Sequence, residues 1–181
     1  KKFQDGDINA YNKIVYRYKD RLLNFIYRFL NDLDRSEDLV QDTLLKLYTH
    51  KDSYREIAKF STWLYTIAAN LARTELRKLK RRKTFSVTEL SYEDREFIIS
   101  STDADPSEEH LSKNFEKNVQ HALLELPDDF KTIIILRDIQ ELSYDEISKI
   151  VEVPLGTVKS RINRGRVKLQ QLLKKKGERP Y

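Results

Sequence analysis

Ser143-Tyr-Asp-Glu-Ile-Ser-Lys-Ile-Val-Glu-Val-Pro-Leu-Gly-Thr-Val-Lys-Ser-Arg-Ile-Asn-Arg-Gly-Arg-Val-Lys-Leu169 is the stretch from which the rest of the chain can be read. Ser143 followed three residues later by Glu146 is a capping box, so a helix starts there, and Asp145 suits its first turn. Ile147, Ile150 and Val151 give that helix one apolar side. Glu152-Val153-Pro154 interrupts it, because proline cannot continue a helix and disfavours helical angles in the residue before it. A second helix follows at once, with Leu155, Val158, Ile162, Gly165 and Leu169 on one stripe. Two short helices joined by a tight turn form a helix-turn-helix.

The outer face of the second helix is suited to a major groove. Thr157, Ser160, Arg161, Arg164 and Lys168 fall opposite the apolar stripe, with Lys159, Asn163 and Arg166 on its flanks. Between Val153 and Lys176 there are eight Lys or Arg and no Asp or Glu, so the helix implies an anionic partner.

Charge divides the chain. Residues 1–83 carry 19 basic and 11 acidic side chains, residues 84–113 carry 2 and 8, and residues 114–181 carry 13 and 10, which together give the net +5. Two basic blocks joined by an acidic piece predict two DNA-binding domains, 1–83 and 114–181, and a flexible linker, 84–113. The linker is rich in Ser, Thr and Asp, and Phe97-Ile98-Ile99 is its sole apolar cluster. Four Gly and four Pro, in a chain rich in Leu, Ile, Lys, Arg and Glu, predict an all-α fold. The absence of Cys excludes disulfides, thiolate zinc and cysteine nucleophiles. His50, His110 and His121 are scattered, so neither a metal site nor another cofactor is expected. With no long apolar run and no leader pattern, the reading is a soluble, cytoplasmic protein. No paired carboxylates in an apolar setting, Ser/His arrangement or Gly-rich phosphate loop points to an enzyme.

In the first block Asp7 caps a helix with Ile8, Tyr11, Ile14, Val15, Tyr18, Leu22, Phe25, Ile26 and Phe29 on one side. Asn31 to Arg35 is a polar break, and Ser36-Glu37-Asp38 is expected to start the next helix. There Leu39, Val40, Thr43, Leu44 and Leu47 form a buried stripe opposite Asp38, Gln41, Asp42 and Leu45. A leucine within a polar rim is the pattern of a protein–protein anchor. The polar loop from Lys51 to Lys59 leads to a helix burying Phe60, Leu64, Ile67, Ala68 and Leu71, with Thr62, Thr66, Asn70, Arg73 and Arg77 turned outward. From Arg73 to Lys83 seven of eleven residues are cationic, a density suited to phosphate contacts. Trp63 lies at the stripe's edge, in a packing role more than a base-stacking one.

Three motifs carry a resemblance: Ser36-Glu-Asp-Leu-Val-Gln-Asp42, Phe60-Ser-Thr-Trp-Leu64 with Ala68-Ala-Asn70, and Gly156-Thr-Val-Lys-Ser-Arg161. In their order and spacing the chain resembles an extracytoplasmic-function (ECF, group IV) RNA polymerase sigma factor of the sigma-70 family. Residues 8–83 resemble region 2, a helical bundle, and residues 114–173 resemble region 4, a four-helix domain with the helix-turn-helix. The resemblance implies a bacterial alternative sigma factor that directs core polymerase to promoters, for an envelope or stress response. It implies that Asp38, Gln41, Asp42 and Leu45 dock on the clamp coiled coil, with region 4 at the flap. Tyr54, Thr62, Trp63, Thr66, Asn70, Arg73 and Arg77 match the −10 reader, where Tyr54 is the residue to stack on a flipped base. Thr157, Lys159, Ser160, Arg161, Arg164 and Lys168 match the −35 reader. An anti-sigma factor is implied as a further partner, with Leu45, Leu169, Leu172 and Leu173 as contacts. Pro154 stands where a capping residue is common. Gly165 replaces the usual Ala, either costing about 1 kcal/mol of helix propensity or permitting closer packing. An ordinary transcriptional regulator that binds an operator as a dimer and senses a signal with its first domain is one rival, but no heptad or self-complementary stripe supports it. A polymerase-blocking protein is another, but it leaves the basic runs unexplained.

Overall fold

A computed structural model describes residues 1–55, 58–85 and 106–177, and among these the chain is helical throughout. Helix α1 spans Ile8–Leu30, α2 Leu33–Thr49, α3 Phe60–Phe85, α4 Pro106–Glu125, α5 Asp128–Ile134, α6 Tyr144–Val151 and α7 Leu155–Gly177. A 3-10 turn covers Lys51–Ser53, and α5 runs into a π-helical turn over Ile135–Ile139.

Asp7 caps α1 as the sequence predicts, its carboxylate accepting the Asn9 N–H at 2.8 Å and the Ala10 N–H at 3.2 Å. Asn31 ends the helix in the left-handed region at φ 53°, which asparagine tolerates. The apolar stripe of α1 is buried only in its second half, from Leu22 to Leu30, while Ile8 stays largely exposed. Helix α2 begins one turn earlier than predicted. Asp32, not Ser36, is the N-cap, accepting the Arg35 N–H at 3.0 Å. Both residue types cap well, but capping at Asp32 adds a turn and leaves Ser36 fully buried, its hydroxyl donating to the Asp32 carbonyl.

Helices α1, α2 and α3 pack around Phe25, Ile26, Phe29, Leu44, Leu47 and Leu64, all buried. The Phe25 ring meets Phe29 and Tyr65 edge-on at 5.1 and 5.2 Å, contacts that each contribute about 1 kcal/mol beyond burial. Ala68, Ala69 and Ala72 present only methyl groups, so α3 lies close against its neighbours. Phe25→Ala is the change most damaging to this bundle, at about 4 kcal/mol.

The C-terminal half forms from α4 to α7 around Leu123, Ile133, Ile134, Leu136, Ile147, Ile150, Val158 and Ile162. Its helix-turn-helix follows the sequence closely. Ser143 and Glu146 form the complete capping box, and Glu152 turns the chain at φ 56° between α6 and α7. The Ser148 hydroxyl holds that turn by donating to the Val153 carbonyl at 2.6 Å. The Pro154 carbonyl accepts the N–H groups of Thr157 and Val158 at 2.9 and 3.1 Å, so the recognition helix opens from a main-chain acceptor. At Gly165 a Cβ would stand 3.0 Å from Ile134 Cγ1 and 3.4 Å from Phe130 Cβ. Of the two consequences open for this glycine, close helix packing is the one realised.

The expected linker is shortened at its C-terminal end. Residues 106–113 lie in α4, which opens at Pro106. Phe97-Ile98-Ile99 lies outside the described residues. The two halves also share one hydrophobic core. Arg28 of α1 is almost buried, donating to Glu116 at 2.8 Å and Gln120 at 3.2 Å on α4. The Tyr65 hydroxyl donates to Gln140 at 2.5 Å, and burial raises its pKa to about 12.

Candidate nucleic-acid and polymerase interfaces

Helix α7 presents the basic face expected of it. Val158, Ile162 and Gly165 are buried against α5 and α6, which turns Lys159, Arg164 and Lys168 to solvent. Thr157, Ser160 and Arg161 are half-buried. The Ser160 hydroxyl donates to the Thr157 carbonyl at 3.0 Å, and Arg161 is paired with Asp129 of α5 at 2.9 Å. Arg166, on the flank, pairs with Asp138 and is thereby held charged. Three predicted reader cations, Arg161, Arg164 and Lys168, therefore sit on one face with Lys159 on the flank, and Arg161 is already engaged by a carboxylate.

On α3 the outcome is mixed. Asn70 and Arg77 are exposed and Arg73 is half-buried, but Thr62, expected on the outer face, is almost fully buried. The cause is helix α6, which packs across the start of α3 and brings Glu146 Oε1 to 3.4 Å from the Thr62 hydroxyl and 3.2 Å from Lys59 Nζ. Periodicity within α3 alone could not reveal a cover supplied by a helix more than eighty residues away. Thr66 is half-buried, its hydroxyl donating to the Thr62 carbonyl at 2.8 Å.

Tyr54 is not splayed outward. Its ring packs against Trp63 at 5.3 Å and Phe60 at 5.6 Å, and its hydroxyl donates to the Ala58 carbonyl at 2.9 Å. Trp63 is half-buried in the same aromatic cluster, as the packing role requires. Glu56 and Ile57 of this loop lie outside the described residues.

The sequence reading overlooked Gln4. Its side-chain amide donates to the carbonyls of Lys51 and Tyr54 at 2.9 and 3.0 Å, and Lys51 Nζ returns a bond to the Gln4 carbonyl at 2.7 Å. Phe3, buried against Tyr11 and Tyr48, anchors this brace. The contact spans nearly fifty residues, and no local pattern announces it.

Asp38, Gln41, Asp42 and Leu45 all lie exposed on one face of α2, with Leu45 60% accessible. Leu39, Val40, Leu44 and Leu47 bury the opposite face. Tyr48, one turn beyond Leu45 and 46% accessible, extends the apolar part of the strip, so the exposed leucine is not isolated.

A polar cleft of about 490 Å³ lies between the halves, lined by Asn70, Arg73, Thr74 and Arg77 on one wall and Asp128, Asp129, Val151 and Glu152 on the other. Burial and the neighbouring Arg77 lower the pKa of Arg73, while Glu152 and Asp129 oppose that shift. The cleft sets guanidinium groups against carboxylates; it is an electrostatic seam between two surfaces. No group of three or more metal-ligating side chains occurs among the described residues, and no described helix is long and apolar enough to cross a membrane.

A two-part helical protein with a helix-turn-helix at one end and a basic helix at the other is the architecture of the sigma-70 family. Residues 14–82 match Sigma-70 region 2, and residues 116–169 match Sigma-70, region 4. The chain is 37% identical to the ECF RNA polymerase sigma factor SigW of Bacillus subtilis, over 96% of its own length and 94% of that protein. It is 38% identical to the ECF RNA polymerase sigma-E factor of Haemophilus influenzae, over 90% of its own length and 87% of that protein. Among solved structures it is similar to the Bartonella quintana sigma factor RpoE, crystallised with the anti-sigma factor NepR. That likeness has a TM-score of 0.71 at 29% identity and covers 91% of this chain and 97% of the other. The chain belongs to the ECF RNA polymerase sigma factors of the sigma-70 family. Its function is promoter-specific initiation of transcription with core RNA polymerase.

Proposed function

We propose that the work of this sigma factor is divided among three surfaces. Asp38, Gln41, Asp42 and Leu45 on α2 dock on the polymerase clamp coiled coil, Leu45 as the apolar anchor within a polar rim. Tyr54, Thr62, Trp63, Thr66, Asn70, Arg73 and Arg77 serve the −10 element and capture of an unpaired base. Thr157, Lys159, Ser160, Arg161, Arg164 and Lys168 on α7 read the −35 element, while the C-terminal domain engages the flap. The domains divide as 1–83 and 114–181, with the acidic segment 84–113, whose residues 106–113 open α4, between them. The single observation that carries this reading is the separation of charge. An acidic strip with one exposed leucine lies on α2, and one-sign basic faces lie on α3 and α7.

Each DNA contact alone is weak, and polymerase holds the two at fixed spacing, so tethering turns them into one strong contact. The protein performs no chemistry of its own, works in the cytoplasm, serves an envelope or stress response and is held in check by an anti-sigma factor. The Bartonella quintana relative crystallised with such a factor supports the last point.

Run-off transcription tests the assignment. Purified chain and bacterial core polymerase on a pooled promoter library give transcripts that need the chain. Leu45→Asp abolishes all of them at the docking step, whereas Arg161→Ala and Asn70→Ala each remove those that depend on one promoter element. Tight operator binding without polymerase, and no transcripts, would replace this reading with that of an ordinary repressor.

A further inference from the structure

The segment ahead of α1 is pinned to the first half of the loop between α2 and α3. Gly6, in the left-handed region at φ 96°, lets this segment fold back on itself. The Asp5 N–H donates to the Lys1 carbonyl and the Asp7 N–H to the Lys2 carbonyl, each at 2.9 Å. Phe3 is thereby turned inward, its ring stacked on Tyr11 at 5.3 Å and tilted against Tyr48 at 6.1 Å. Those two rings belong to α1 and α2, so the segment stands on the bundle itself. Gln4 then reaches the 3-10 turn at Lys51–Ser53. Its amide nitrogen donates to the carbonyls at both ends of that turn, Lys51 at 2.9 Å and Tyr54 at 3.0 Å. Lys51 Nζ donates back to the Gln4 carbonyl at 2.7 Å. The turn's own main-chain bonds are the Ser53 N–H to the His50 carbonyl at 2.9 Å and a longer one, 3.3 Å, from the Tyr54 N–H to the Lys51 carbonyl. A single 3-10 turn is weak alone, and a segment before the first helix is ordinarily held loosely; here each fixes the other. The Tyr54 ring rests on Phe60 and Trp63 of α3, so Gln4 fixes the main chain from which that ring is presented.

We propose that Phe3 and Gln4 are positioning residues of the −10 reader, holding the Lys51–Tyr54 turn in the register against α3 from which an unpaired base is captured. The inference rests on the reading that Tyr54 and its neighbours capture that base. Neither Phe3 nor Gln4 touches DNA in this scheme. Phe3 anchors the segment, and the Gln4 amide, which carries two N–H groups, serves both carbonyls of the turn. A glutamate of the same length offers its ionised oxygens to those carbonyls and can make neither bond. Without the brace the turn is free to shift, and rates that depend on placement fall steeply with displacements of about an ångström. The loss falls on base capture and spares the −35 reader, which is built on α7.

The test uses holoenzyme assembled from core polymerase and the full chain, on a promoter taken from the run-off selection and labelled with 2-aminopurine. An abasic site is placed at each non-template position of the −10 element in turn, and the rate of opening is measured. In the parent, one position is expected to cost about tenfold when abasic, the size of one lost stacking contact, and it marks the captured base. Gln4→Glu and Gln4→Ala are expected to open the intact promoter about tenfold more slowly. They are also expected to shrink the abasic penalty to within about twofold, because a base that is no longer captured is not missed. Asp5→Ala, exposed in the same segment, is expected to match the parent in both respects. Gln4 variants that keep the full abasic penalty overturn the proposal, whatever their Tm, since lower stability alone does not erase a preference at one position. Should both Gln4 variants fail to fold, Phe3→Leu, which keeps the buried volume but loses the stacked ring, takes their place with the same criterion. If no position costs the parent anything, the reading of Tyr54 fails and the proposal falls with it. If Tyr54→Ala erases the penalty and Gln4→Glu does not, only the brace fails.

Discussion

Lys131 is a buried charge that costs the fold stability, and its removal should make the protein more stable. It lies on α5 at 1% exposure, and among the described residues its ammonium donates one long hydrogen bond, 3.3 Å to the Leu124 carbonyl. Burial pulls its pKa from 10.5 down to about 8; Asp128 opposes that shift and Lys80 adds to it. Since the folded value is the lower one, the unfolded chain holds the proton more tightly. At pH 7 the lysine is charged in both states, and the full cost, about 3 kcal/mol, is present. Between about pH 8 and 10.5 the native state sheds the proton first, so native stability rises with pH and the cost fades. Lys131→Met keeps the packed stem and removes the charge, losing one weak bond of about 1 kcal/mol. The net expectation is a gain of roughly 2 kcal/mol at pH 7, or about 4–8 °C in Tm. Urea unfolding of both proteins from pH 7 to 10.5, followed by circular dichroism, measures the gap. The gap should shrink steadily above pH 8. The buried Tyr65 hydroxyl, raised to about 12, lowers stability above pH 10, but it does so in both proteins and cancels. A Lys131→Met protein that is less stable at pH 7, or a gap that does not change with pH, would refute the reasoning.

Three other outcomes can be checked. Gly156→Ala, with nothing within 4 Å of the added methyl, should stabilise by about 0.5 kcal/mol, while Gly165→Ala should lose about 1 kcal/mol because Ile134 and Phe130 block the methyl; thermal unfolding ranks them. Leu45→Asp should leave Tm within about 1 °C of the parent, because the side chain is 60% exposed, yet abolish co-purification with core polymerase. Gln4→Ala should release the Lys51 and Tyr54 carbonyls, slow promoter opening about tenfold in a 2-aminopurine fluorescence assay, and leave duplex −35 binding unchanged.

The sequence disclosed those features that depend on neighbours three or four residues apart. The Ser143 capping box, the Glu152–Pro154 break and the Asp7 cap are all local, and each is found where the pattern put it, as is the stripe of α7 from Val158 onward, whereas Leu155 at its start is exposed. Helix ends decided between equivalent caps were less legible, as the choice of Asp32 over Ser36 shows. Features set by contacts across the chain were invisible. Thr62 reads as an outward polar residue until α6 covers it, the bond of the Tyr65 hydroxyl to Gln140 has no local sign, and Gln4 carries no motif at all. A solvent-facing pattern identifies a surface, but it cannot say which other part of the same protein will meet that surface.

The strength of the seam sets how readily the two halves can part. Lys59 and Lys80 are more than half exposed, so their pairs with Glu146 and Asp128 contribute under about 1 kcal/mol each. The buried contacts of Arg28 with Gln120 and of Tyr65 with Gln140 contribute about 1–2 kcal/mol apiece. These polar contacts add a few kcal/mol to the apolar core that the two halves share. A partner that binds only the separated form, present at a thousand times its Kd, shifts that balance by about 4 kcal/mol. An interface made of aromatic core residues alone would hold too firmly to open, and one made of exposed ion pairs alone would dissolve in physiological salt. The seam found here mixes the two: Arg28 and Tyr65 bond across it from the shared core, while Lys59 and Lys80 pair at its exposed rim.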